Sequence, residues 1–196
     1  MFILLVSAFI LMLGGGSVNA LMAALPNDVY GFSTRIGYAL LLSFTGVGWI
    51  LGSLFLFGYA KKIRHLNKKL LFWFITGLCS GITIVLVVHT TIFFIGCMIW
   101  LSHGVFNCIR DVIETTVVQE TVKEEILGRV FSIQGLLIEL ASIISMSIGG
   151  VLYSIYGIEL VFNFVGFMEI SSAVIGFIFL YKYIRIKRFG NNFHTS

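Results

Sequence analysis

Two carboxylates, Glu139 and Glu169, stand near the middle of long apolar stretches and have the most capacity for chemistry in this sequence. A charge at such depth in hydrocarbon is costly unless it is paired, hydrated or neutralised, so an acid placed there handles protons or ligands, or is held as a protonated or hydrogen-bonded structural group. Both readings stand for Glu139; the structural one leads for Glu169. Around Glu139, the residues Gly128, Ser132, Gly135, Ser142 and Gly149 recur at three- and four-residue steps and make one small, polar stripe on a helix otherwise lined with Ile, Leu and Phe. A narrower stripe joins Gly166, Glu169, Ala173 and Gly176. A third face carries Gly96, Trp100, His103, Asn107, Arg110 and Glu114, with polarity rising toward one end, as in a wall beside an aqueous cavity open to one side. Glu139, Asn107, His103, Arg110, Ser132 and Ser142 are therefore candidate cavity residues, although His103 taken alone reads as a packing residue.

Other chemistry finds little support. Glu124 to Arg129 reads EEILGR and matches the EExxxR pattern of intramembrane CAAX-type proteases, and His103 to Asn107 matches HxxxN. The order is reversed, no FxxxH element exists, and the only histidine after Arg129 is His194 in the tail, so that constellation cannot assemble. No HExxH, phosphate loop or Ser/His/Asp set is present, and the chain is expected to be no enzyme and to need no cofactor. Cys79, Cys97 and Cys108 lie in apolar stretches without CxxC or Cys/His spacing, which points to packing rather than to a disulfide or a metal site. The net charge of +4 does not indicate nucleic acid, because the basic residues sit at the borders of apolar segments.

The elements that must position these groups follow from composition. With 58% hydrophobic residues, 11% charged and a mean hydropathy of +1.02, no water-soluble fold could cover the apolar surface. Apolar segments near 1–24, 36–59, 70–88, 92–110, 130–152 and 158–183 are each long enough to span a bilayer as a helix, and their continuous character excludes the alternation of barrel strands. The expected fold is all-α, a polytopic membrane protein of six transmembrane helices forming one domain over 1–196. Its three-helix repeats cover 1–88 and 92–183, and a cytoplasmic tail covers 184–196. Twelve of the 13 Lys and Arg fall on one side of these spans and only Arg35 on the other, so the positive-inside rule puts both termini in the cytoplasm of a cell-membrane protein. Tyrosines near the segment ends agree with those borders.

Val18-Asn19-Ala20 loosely resembles a signal-peptide cleavage site, but no basic n-region precedes it and apolar character continues beyond, which favours a retained helix. The abrupt apolar start at Met1 is the beginning expected of the later portion of a longer chain. Asp111 to Leu127 has apolar Val112, Val117, Val118, Val122 and Ile126 among acids, and reads either as an amphipathic extension along the inner membrane surface or as a solvated loop. The pairs Gly48/Gly52 and Gly77/Gly81, with Gly135 and Gly149, are candidate sites of close helix packing.

Three stretches carry a family resemblance: GGGSVNALMAALP from Gly14 to Pro26, the run from Tyr38 to Leu71 with its basic loop, and Glu114 to Gly157 with GRVFS at Gly128 to Ser132. Together they resemble the second six-helix half of a major facilitator superfamily transporter of the macrolide-efflux and enterobactin-exporter type. The basic loop departs from the facilitator signature in lacking its aspartate. The resemblance implies two inverted three-helix repeats around a cavity that opens alternately to each side. It places helices 1, 2, 4 and 5 along that cavity and helices 3 and 6 outside, which adds Asn19 to the candidates, raises Glu139 and lowers Glu169. It also implies secondary active efflux of a small, largely apolar compound, with the lipid bilayer, the substrate and a missing N-terminal half or a second copy as partners. The competing expectation is a non-catalytic six-helix assembly protein, a self-dimerising half-transporter or an inactive remnant.

Overall fold

The computed structural model describes the backbone over 2–59 and 63–192 and side chains at 9, 12–59 and 63–182. Lys61, Lys62 and His194 lie outside the described residues, as do the side chains of Arg185, Lys187 and Arg188. The described chain is all-helical: α1 (Phe2–Leu21), α2 (Leu25–Tyr30), α3 (Thr34–Tyr59), α4 (Leu66–His89), α5 (Phe93–Thr121) and α6 (Glu124–Asn192). Among the described residues, α3, α4, α5 and the 124–182 part of α6 are long and apolar enough to cross a membrane.

Each break has a local cause. Pro26 falls at the start of α2, where a missing N–H is harmless, and Gly31 ends that helix in the left-handed region at φ 61°. α6 runs through Gly157, whose φ of 80° and ψ of 174° are not helical. There the chain folds back: Gly16 meets Ser142 and Ser145, while Gly14, half a turn earlier, meets Val165. The first arm of α6 (124–156) and the second arm (158–192) thus form a hairpin, and both touch α1.

One border moved. The apolar segment ending at residue 110 continues as helix to Thr121, and only Val122 and Lys123 separate α5 from α6. Residues 111–121 continue the helix, as the first of the two readings expects, with Ile113, Val117 and Val118 buried and Ile113 and Val117 packed among Trp73, Phe74, Ile109 and Leu180.

The helices pair selectively: α1 with α6, α3 with α5, and α4 with both α5 and α6. Lipid tails are as apolar as leucine, so close packing at small residues and polar bonds must hold such pairs. A Cβ on Gly104 of α5 would stand 2.6 Å from the Thr45 carbonyl oxygen of α3, and one on Gly52 would stand 2.8 Å from that of Val105. Gly48 packs on the Leu101 to Val105 backbone, and a Cβ on Gly81 would stand 2.9 Å from the Gly166 carbonyl oxygen. Gly149 receives Ser17, Gly77 makes only ordinary contact with Ala173, and Gly135 faces open space instead of a neighbouring helix. Ser17 and Ser145 clasp α1 to the first arm: Ser17 N–H donates to Ser145 Oγ at 2.9 Å and Ser17 Oγ–H to the Ser145 carbonyl at 2.7 Å.

Two apolar clusters result. One gathers Val18, Leu25, Leu41, Val87, Phe93 and Phe162 near the α2 end, and the other gathers Trp73, Ile113, Val117 and Leu180 near the opposite end. Tyr30 ties α2 to α4 by donating to the Val87 carbonyl at 2.5 Å; burial holds its phenol pKa above the ordinary value, against the lowering effect of the Thr90 hydroxyl. Between the clusters the packed faces turn polar.

Gly104→Ala should destabilise the protein by about 1–3 kcal/mol because the added methyl forces α3 and α5 apart. Gly135→Ala should be neutral or stabilising by up to about 1 kcal/mol through helix propensity alone. Denaturant titration of the two variants in detergent checks this, and equal stability would refute the packing assignment.

Candidate functional site

Positions 100, 103, 107, 110 and 114 of α5 follow three- and four-residue steps, so one helix face presents Trp, His, Asn, Arg and Glu in succession. That face borders a cavity of about 380 Å³ between α1, α3, α5 and the two arms of α6. Asn19 and Met12 contribute from α1, Thr45 and Trp49 from α3, Gln134 from the first arm and Glu169 from the second.

The central contact is an ion pair. Arg110 Nη1 donates to Glu169 Oε1, with the two side chains 14% and 8% exposed. Each charge is deprived of water, and each supplies what the other lost. From Arg110 a directed chain of hydrogen bonds runs along α5. Arg110 Nη2 donates to Asn107 Oδ1 at 2.8 Å, which orients the amide so that Asn107 Nδ2 donates to His103 Nε2 at 2.7 Å. The ring proton of His103 then sits on Nδ1 and points to the hydroxyls of Ser80 and Thr83 on α4, at 3.2 and 3.1 Å. Thr83 gives its own hydrogen to the Ser80 carbonyl at 2.6 Å, which leaves its oxygen free to accept. Trp100 lies over His103 with ring centroids 4.6 Å apart. Its Nε1–H is buried without a partner among the described residues.

A second acid, Glu114, is held differently. Trp73 Nε1 donates to one of its oxygens at 3.3 Å and Gln134 Nε2 to the other at 2.6 Å. Both donors are neutral, and among the described residues no cation forms an ion pair with Glu114. Asp111, exposed, lies on the same wall one helical turn earlier.

The sequence-derived candidates divide. His103, Asn107, Arg110 and Asn19 line the cavity; Glu139, Ser132 and Ser142 do not. Glu139 is exposed on the outside of the first arm beside exposed Leu136, Leu140 and Ile143. Ser132 is exposed and bonds back to the Gly128 carbonyl of its own helix at 2.9 Å, and Ser142 is half-buried where its backbone meets Gly16. The face turned inward is instead Gln134, Ile138, Ala141, Ser145 and Gly149, about one residue step around the helix from the stripe expected to carry Glu139. Glu169, read from sequence as structural, is the acid that meets Arg110 at the cavity wall. Gln134 and Trp49 carried no sequence signal beyond their place on helical faces.

Among the described residues no group of His, Cys, Asp and Glu is arranged to hold a metal ion. Cys97 and Cys108 are buried, Cys79 is half-buried, and all are free thiols. Neither the protein-family models nor the curated proteins compared with the chain give a match.

Removing one partner of the buried pair leaves the other charge uncompensated. Arg110→Met should therefore cost about 3–5 kcal/mol, while the double variant Arg110→Met/Glu169→Leu should recover most of that loss. Unfolding midpoints of the two single variants and the double variant decide, and additive losses would remove the pair as a coupled unit.

Proposed function

We propose that this chain is a membrane transport protein: six spans arranged as two inverted three-helix repeats, forming one half of a facilitator-type secondary transporter that exports small amphipathic compounds. The observation that carries this reading is the polar cavity closed around Arg110 and Glu169 among helices that are otherwise apolar. Ionisable groups half-way along apolar helices are costly, and lining a water-filled ligand path is the usual use that keeps them there.

The pairing of helices supports the repeat. Number the spans 1 to 6 as α1, α3, α4, α5 and the two arms of α6. Span 1 packs on span 5, span 4 on span 2, and span 3 on span 6. A two-fold exchanging spans 1, 2, 3 with 4, 5, 6 turns the first of these pairs into the second and the third into itself, as an inverted repeat requires. Loop charge supports an orientation with Lys68, Lys69 and Lys123 in the cytoplasm.

Within this reading, Glu169 and Glu114 take the proton-handling role that the sequence offered to Glu139. An acid whose donors part from it when the cavity opens to one side takes up a proton there and gives it up when those donors close on it again. Glu139, on an apolar outer face, fits a different task. Its carboxylate needs a donor from a surface packed against it, either a second six-helix half or a second copy.

Cysteine labelling in a cysteine-free background tests the architecture. Thr91→Cys and Ser154→Cys should react with an impermeant maleimide on intact cells, and Gln119→Cys only after permeabilisation; labelling of all three from one side would remove the inverted arrangement. For transport, the chain is tested in the cells that make it, where any second half is present. Asn107→Ala should lower efflux of a lipophilic dye about tenfold at unchanged protein level, in line with one lost charge-assisted hydrogen bond. Undiminished efflux would remove the cavity from the transport route.

A further inference from the structure

We propose that the ligand of this cavity is a lipophilic organic cation and that Glu114 is its counter-charge, an inference that rests on the transport reading above. Charge bookkeeping around the cavity carries it. The lining residues include the acids Asp111, Glu114 and Glu169 against one permanent cation, Arg110. Arg110 is committed to Glu169 and Asn107. The imidazole of His103 accepts at Nε2 and is thereby held neutral. Glu114 keeps only neutral hydrogen-bond donors, from Trp73 and Gln134, and the Arg110 guanidinium acts on it only through space, so no cation is in contact with it among the described residues.

The remaining surface suits the body of such a ligand. Trp49 and Trp100 present aromatic rings, and Met12, Val18 and Leu42 present apolar side chains. Ring faces attract cations, most strongly where water is excluded, and a carboxylate beside them adds the sign selectivity that apolar walls lack. Two buried polar atoms in residues of the same wall also lack partners: Trp100 Nε1, in a residue 2% exposed, and Gln134 Oε1 next to Glu114. Trp100 Nε1–H is a donor and Gln134 Oε1 an acceptor, each left unused within this wall. Glu114, the aromatic rings and the apolar side chains match an amphiphile that combines a positive nitrogen or phosphorus centre with apolar bulk. An anionic ligand fits poorly, because it would face Glu114 and Asp111 while Arg110 is occupied.

Tetraphenylphosphonium and tetraphenylborate have the same shape and opposite charge, so they isolate the sign of the ligand. Binding is followed by tryptophan fluorescence on the full chain in detergent. Tetraphenylphosphonium should bind saturably, and Glu114→Gln should weaken it about tenfold or more while leaving tetraphenylborate unchanged or tighter. Asp111→Asn at the rim, which disturbs no packing, should weaken the cation two- to threefold by about the loss of one distant charge, and decides the matter should Glu114→Gln not fold. Glu159→Gln, an equal charge change outside the cavity, should alter neither ion. Preference for tetraphenylborate, or cation binding indifferent to both cavity variants, overturns the cation assignment and leaves the transport reading in place. If neither ion binds saturably, the ligand site falls together with the transport reading.

Discussion

A guanidinium and a carboxylate that meet half-way along two apolar helices constrain nearly everything else in this molecule. Arg110 and Glu169 are 59 positions apart, and neither tolerates hydrocarbon alone. The break at Val122 and Lys123 and the reversal at Gly157 must therefore return the second arm of α6 to the level of Arg110. From that contact the order propagates. Arg110 fixes the Asn107 amide, the amide fixes the His103 tautomer, and the imidazole docks on the hydroxyls of α4. Three elements are held in one register by a chain of donors and acceptors that has only one consistent direction.

The apolar clusters on either side do a different job. In α4, α5 and the second arm, residues of one cluster, then polar residues, then residues of the other cluster follow one another along the helix. Dispersion and glycine contacts in the clusters hold the helices together but discriminate weakly between registers, because one leucine-sized contact resembles another. The polar layer supplies the discrimination, since a slip of one turn would leave Arg110, Glu169 and Glu114 without partners. It is also where the helices stand apart. Side chains long enough to bond across a gap leave room beside them, and the cavity occupies that room.

Much of this was legible in the sequence. Continuous apolar runs of spanning length place α3 and α4 to within about four residues and find both arms of α6, which extend further at their outer ends, because hydropathy and helix length are local properties. The face from Trp100 to Glu114 was visible by spacing alone. What failed was whatever depended on a distant partner. The helical continuation beyond Arg110 was legible from its apolar spacing, but its packing was not, because Arg110 is accommodated by an acid in another helix. The first arm of α6 has small and polar residues on two adjacent faces, and nothing within it says which one turns inward. That choice is made by the clasp between Ser17 and Ser145, 128 positions apart, and it leaves Glu139 outside and Gln134 inside.

The contacts also differ in how they yield. α1 with the first arm, α3 with α5, and α4 with the second arm meet through glycines, where a backbone lies against its neighbour and no side-chain rotation can relieve displacement. Between α5 and α6, by contrast, the bonds across the cavity are those of Arg110 with Glu169 and Gln134 with Glu114, long side chains whose ends can part by rotation about a few bonds. Helix pairs joined by glycine therefore resist displacement more than the seam spanned by the ionisable groups. The bonds made by Glu169 and Glu114 and the width of the cavity are thereby linked. Neutralising either carboxylate would weaken the bonds across the seam, because a neutral carboxyl accepts less strongly from Arg110 or Gln134.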